Sequence, residues 1–254
     1  MEDSTRERWL AELHPAERLR YFSGRLLTAD DFQKEQDYGR GKSELHNRFE
    51  LGHGVVCGLG VTAHTTTRGN GVSISAGLAV DGLGREIVIP TDVDIVPLRL
   101  RDDCDPLSPS DELLPRSVHI SLCYRELQGG EQSVSTAEPE GGADQEPAGS
   151  LIESYCLRVQ KGTAPNVSTS VDRDVLEHLR SGRFRDALCM LAEADCRLAP
   201  ADPCIVLANI EVGENGSLAV DACGPRAIVP TNRLLLQLAQ SMSFAATPDR
   251  GDAR

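Results

Sequence analysis

Apolar positions follow two different periods along the chain, and the change comes near residue 50. Before it, an amphipathic opening stretch to about Leu19 leads through Tyr21-Phe22-Ser23-Gly24-Arg25-Leu26-Leu27 to Thr28. Thr28 reads as a helix N-cap, and Asp31, three residues on, completes a short-armed capping box. The helix that follows is expected to run to about Phe49. Phe32, Leu45 and Phe49 give it a thin apolar stripe, while Gly39 and Gly41 each weaken it by about 1 kcal/mol. A helix this polar must lean on another part of the chain or on another chain.

From Gly54 the period becomes that of strands. Val55, Val56, Leu59 and Val61 predict one strand, and Gly69-Asn70-Gly71 a turn. Val72, Ile74, Ala76, Leu78 and Val80 then alternate with smaller or polar residues. Asp81-Gly82-Leu83-Gly84 forms a tight connection to Ile87-Val88-Ile89, which Pro90 ends. Further strands are expected over Asp94 to Leu100, Val118 to Tyr124, Leu151 to Val159 and Ile205 to Val212, with a Pro/Asp-rich loop over Asp102 to Pro115. Residues 129–150 hold five acids and no base, the composition of a flexible linker or loop. Asp174 to Ala194 predicts two short helices interrupted at Gly182, with Val175, Leu176, Leu179, Ala187, Leu188 and Leu191 turned inward. Arg233 to Phe244 predicts an amphipathic terminal helix, and 246–254 a disordered tail.

The fold class this implies is mainly β with helices (α+β): a β-sandwich-like core with an N-terminal and a C-terminal amphipathic helix. The organisation is a helical segment over 1–50, a β-rich module over 51–128, the acidic segment 129–150, and an α+β portion over 151–245 completing the core. Leu78-Ala79-Val80-Asp81 recurs as Leu218-Ala219-Val220-Asp221, with Pro90-Thr91 matching Pro230-Thr231 at the same offset. The echo suggests two related hairpins.

Composition narrows the function. Twenty-six basic against thirty-nine acidic residues leave a net charge of -13, with no basic cluster. Nucleic acid and anionic membrane surfaces are therefore poor partners. The charged start is no signal peptide, and no apolar run reaches the ~20 residues of a membrane span. A cytoplasmic protein is expected, with its eight cysteines as mostly buried thiols.

Chemistry-bearing motifs are weak. Gly39-Arg40-Gly41-Lys42-Ser43 ends like a phosphate loop, but the first glycine is replaced by Gln36 and no strand precedes it. Gly52, Gly54, Gly58 and Gly60 do not have dinucleotide-binding spacing. Cys196, Cys204 and Cys223 are a candidate zinc set without the paired knuckles of structural sites, and His46, His53 and Cys57 are a second. No nucleophile elbow or tuned acid/base pair is present, so no enzyme activity and no cofactor are expected.

One stretch carries a resemblance. Tyr21, Phe22 and Gly24 precede Leu27-Thr28-Ala29-x-Asp31-Phe32-x-x-Glu35-Gln36-x-Tyr38; later come Leu45-His46-Asn47-Arg48, Gly54-Val55-Val56-x-Gly58-Leu59 and Ala76-Gly77-Leu78-Ala79-Val80-Asp81-Gly82. This order resembles the N-terminal shoulder region of the type VI secretion baseplate protein TssK and of siphophage receptor-binding proteins. It resembles more closely proteins that accompany phage-tail-like contractile injection systems, which share the strand Cys204 to Ala208. Asp31 stands where the secretion family carries His, and His53 where it carries Trp. The resemblance implies a shoulder module that docks onto a baseplate, commonly as a trimer, and connects it to fibres or other partners. Phe32, Gln33, Leu45, Phe49 and His53 are then the partner-binding candidates. The alternative function is a small-molecule- or zinc-binding β domain.

Overall fold

The computed structural model describes residues 16–101, 113–129, 149–167, 172–193 and 202–245. Helix α1 (Ala29–His46) runs into a π-helical turn (Asn47–Leu51). Strands β1 (Gly54–Gly58), β2 (Val61–Thr66), β3 (Gly69–Ile74), β4 (Gly77–Val80), β5 (Glu86–Ile89), β6 (Val93–Ile95), β7 (Ser117–Gly129) and β8 (Ser150–Lys161) follow. After α2 (Arg173–Arg180) and α3 (Phe184–Ala192) come β9 (Ile205–Val212), β10 (Leu218–Asp221) and α4 (Asn232–Ala245). The described strands form three antiparallel sheets, ordered β1-β4-β5, β2-β3-β6 and β10-β9-β7-β8. The fold is mixed α+β with a mainly β core.

The two smaller sheets share strands that bend from one into the other. Between β1 and β2 the bend falls at Leu59, whose φ of 56° is unusual for a residue with a side chain. Full burial of that side chain offsets the strain. Arg226 holds the bend by donating from Nη2 to the Leu59 carbonyl at 2.8 Å and to the Leu207 carbonyl of β9 at 2.9 Å. The β3–β4 bend runs alongside, with Ser75 N–H donating to the Gly60 carbonyl and Gly60 N–H to Ser75 Oγ, both at 2.9 Å. Leu59, Val72, Ile74, Ile87 and Ile89 thereby meet Val118, Ile120, Leu122, Ile205, Leu207 and Ile210 of the large sheet in one core.

Several sequence expectations shift here. The β2–β3 turn is at Thr67-Arg68, and Gly69-Asn70-Gly71 lies within β3. Gly71 is needed for close approach: a Cβ there would strike the Ile95 carbonyl of β6. Strand β6 stops before Pro97, which has no N–H for a ladder. The flanks of the acidic segment pair as Gly129↔Ser150 at the end of a long β7–β8 hairpin. The segment therefore joins the two arms of one hairpin; its expected flexibility lies outside the described residues, like the 246–254 tail. In α2 and α3 only Val175 and Ala187 are buried, while Leu179, Leu188 and Leu191 are exposed.

The repeated hairpin is also corrected. In the first copy β4 and β5 pair with each other, but β10 pairs with β9, and Ile228 bridges β1 in parallel. What the copies share is local. Asp81 Oδ1 accepts from Leu83 N–H and Arg85 N–H, both at 2.9 Å, and Asp221 Oδ1 accepts from Cys223 N–H at 3.1 Å and Gly224 N–H at 3.0 Å. Each aspartate folds its own turn by satisfying the backbone that follows it.

The expectation of free, buried thiols fails most clearly. Cys123 on β7 and Cys204, next to the start of β9, form a disulfide whose Cα atoms are 4.5 Å apart. Neighbouring antiparallel strands bring residues to such a spacing, so cysteines 81 apart in sequence become adjacent. Cys156 is also disulfide-bonded, while Cys57, Cys189 and Cys223 are free and exposed. We expect these three to react with a thiol reagent in the native protein, and Cys123 and Cys204 to react only after reduction; mass mapping of labelled peptides checks both.

Candidate functional site: the outer face of α1

Local sequence sets the start of α1. Thr28 Oγ1 accepts from Asp31 N–H, and the Asp31 carboxylate accepts from Thr28 N–H at 3.1 Å, completing the expected capping box. Arg25 Nη2 lies 2.7 Å from Asp31 Oδ1 and binds the approaching chain to the same carboxylate. The hydrogen bonds from Thr28, reinforced by those of Arg25, hold the Asp31 carboxyl below its ordinary pKa.

What seats α1 on the core is polar and glycine-dependent. Gly84, in the β4–β5 connection, has φ +88°, and a Cβ there would overlap the Glu44 carbonyl. Asn47 Nδ2 donates to the Gly84 carbonyl at 3.0 Å. Midway along the helix, Arg40 Nη1 lies 3.2 Å from Glu126 Oε1 on β7, which also accepts from the Tyr124 hydroxyl at 3.0 Å. Desolvation, followed by the neighbouring Glu126 carboxylate, pushes the Tyr124 phenol well above its ordinary pKa. Arg85 stacks over the Tyr124 ring at 4.6 Å and pairs through Nε with the fully buried Asp81 at 2.7 Å. An unbroken polar chain thus links Asp81, Arg85, Tyr124, Glu126 and Arg40.

The apolar residues of the helix point elsewhere. Phe32 is 58% exposed, Leu45 39% and Phe49 40%. They do not form one stripe. Phe32 and Phe49 are about 25 Å apart along the axis, and at about 100° per residue Leu45 and Phe49 face differently from Phe32. The exposed apolar residues instead fall in two sets along the chain, one at each end of α1. One comprises Phe32 and the exposed Tyr21, Phe22 and Leu26 of the segment that leads into the helix. The other, at its end, holds Leu45, Phe49 under the Arg48 guanidinium at 4.8 Å, exposed Leu51 and exposed His53. Gln33 belongs to neither, because its Nε2 donates to Asp37 Oδ1 at 3.0 Å along the helix surface. The sequence reading did not place Tyr21, Phe22 and Leu26 in the site; their signal was a dense apolar run with neither helix nor strand periodicity.

Among the described residues, the zinc candidates do not assemble. Cys204 is bonded to Cys123, Cys223 is exposed, and Cys196 lies outside the described residues. His46 Nδ1 contacts Glu50 Oε1 at 2.9 Å, within its own helical stretch. No group of three or more His, Cys, Asp or Glu suited to a metal ion occurs among the described residues. None of the described helices is long and apolar enough to cross a membrane.

No family model matches the chain, and no curated protein does. Among solved structures, a crystal structure of TssK is similar over 94% of this chain and 51% of its own, at 12% identity and a TM-score of 0.38. The baseplate complex from the type VI secretion system is similar over 95% of this chain and 72% of that chain, at 13% identity and a TM-score of 0.37. The chain spans about half the length of the TssK chain it matches.

Two outcomes follow from the seat and the cap. Gly84→Ala should cost at least about 2 kcal/mol, from the left-handed φ and the collision with Glu44, and should lower the melting temperature by about 5 °C or more. The Asp31 pKa is lowered on folding, so its contribution to stability is full above the ordinary value of 3.8 and is lost as pH falls through the lower folded value. Circular dichroism should show helix signal falling over that acid range, and Asp31→Asn should remove that part of the pH dependence.

Proposed function

We propose that this chain is a structural component of a phage-tail-like contractile injection particle, of the baseplate or fibre-adaptor type. It works as a homo-oligomer that binds baseplate or fibre proteins and carries out no bond chemistry. One observation carries this reading: α1 is anchored to the β core by polar contacts while Phe32 and Leu45 on it, and Phe49 in the turn that follows, stay exposed. A helix held this way has fixed geometry but has not spent its apolar surface on the core. Such surface is what a protein partner buries. The motif resemblance between Tyr21 and Pro90 supports the class of partner, and the acidic charge of -13 fits a protein partner better than nucleic acid.

The two patches at either end of α1 bind as separate contacts. Burying one Phe contributes roughly 1.5–3 kcal/mol, so Phe32→Ser and Phe49→Ser should each weaken partner binding by about 10-fold or more. Because Phe32 is 58% and Phe49 40% exposed in the free chain, the double variant should keep its fold and melt within about 5 °C of the parent. Pull-down with sheath and baseplate components, run beside thermal melts, checks both statements. Capture by the double variant at the parent level, or no capture of any such component by the parent, would reject the reading.

A further inference from the structure

We infer that the outer edge of β8, from Leu151 to Tyr155, takes up an extended segment of another protein that carries a basic residue between apolar ones. Strand β8 ends the large sheet, and its inner edge is paired with β7 along its whole length. On the outer edge, Arg101 N–H donates to the Val159 carbonyl at 2.9 Å and Val159 N–H to the Arg101 carbonyl at 2.7 Å. Backbone groups alternate sides along a strand, so Leu151, Glu153 and Tyr155 turn their N–H and C=O the same way as Val159. Among the described residues nothing pairs with those groups. The stretch from Leu151 to Leu157 has no Pro, Gly or Lys to blunt it, and Leu151 and Ile152 are 60% and 54% exposed. Such an edge is a template for one more strand.

Carboxylates decide which strand fits. Glu153 stands directly opposite Glu126 in the β7–β8 register. Glu126 is matched by Arg40 at 3.2 Å, whereas among the described residues no cation pairs with the exposed Glu153. A second copy cannot supply one. Laid antiparallel in the register of greatest overlap, two such edges would set Glu153 against Glu153, with a Glu126 behind each, and like charges directly opposite are destabilising. The chain's own continuation fits no better. The residues after Arg101 read Asp-Asp-Cys-Asp-Pro, three acids and a proline, which suit neither a ladder nor a place beside Glu153. A segment with Lys or Arg opposite Glu153 brings the missing cation. Its apolar residues two positions to either side then fall beside Leu151 and Tyr155.

The inference rests on the proposed function, since it names the kind of segment a protein partner would insert, but its test needs no such partner. Loss of capture through Phe32 and Phe49 and loss of strand addition at β8 are therefore separate results. The probe is the peptide acetyl-Thr-Val-Thr-Lys-Thr-Val-Thr-amide, added to the full chain while hydrogen exchange is followed at single amides by NMR. Without peptide, Leu151, Glu153 and Tyr155 should exchange quickly, and Ile152 and Ser154, whose amides face β7, slowly. With saturating peptide the first three should slow by at least about 10-fold. The same peptide with Glu in place of Lys should bind at least about 5-fold more weakly, and Glu153→Lys in the protein should reverse that order. Slow exchange at Leu151, Glu153 and Tyr155 without peptide would show that the chain covers its own edge and would overturn the proposal. So would equal binding of the two peptides, protection by the Lys peptide only elsewhere in the chain, or a dimer of the free chain that protects these same amides.

Discussion

The position of α1 depends on a carboxylate removed from water. Asp81 is fully buried, and it is tolerated because the turn it begins supplies two backbone donors and Arg85 supplies a cation. Taking away one partner of such a buried pair typically costs about 3–5 kcal/mol, whereas the exposed ion pairs of the chain contribute about 1 kcal/mol or less. Everything above the turn inherits its shape. The turn places Arg85 on Tyr124, and it sets Gly84 where the Glu44 carbonyl of the helix must pass.

Polar seating explains why a helix with so little buried apolar surface is ordered at all. Only Gly41 and Glu44 of α1 are buried, so the hydrophobic effect does not hold it down. Direction comes instead from hydrogen bonds, which are geometrically demanding and contribute about 1 kcal/mol each. The outward aromatic residues can then be presented in one orientation without being part of the core.

The sequence revealed most where the cause is short-range. Thr28 and Asp31 cap α1 as their spacing says, the interruption at Gly182 separates two helices, and the runs Ile87–Ile89 and Ile205–Val212 are strands. Even the echo between Asp81 and Asp221 has a local reason, since each side chain satisfies its own turn. The misreadings concern which segments become neighbours. Gly71 looked like a turn residue but makes room for β6, and the pairing of β10 with β9 depends on the large sheet. For the site, Phe32, Leu45 and Phe49 were legible as residues left out of the core. Their division into two patches was not, because it depends on helix length and on the position of the seat. The bond between Cys123 and Cys204 depends on β7 lying beside β9, which no spacing along the chain reveals.

That bond closes a covalent ring through residues 123–204, enclosing β8, both short helices and the acidic connection between β7 and β8. A protease making one cut anywhere inside the ring would open the chain without dividing the molecule. The two sides of the cut would stay joined through sulfur, with the central strands β7 and β9 still tied. On a non-reducing gel the nicked protein would keep its full mass, and two fragments would separate only after reduction of its disulfides.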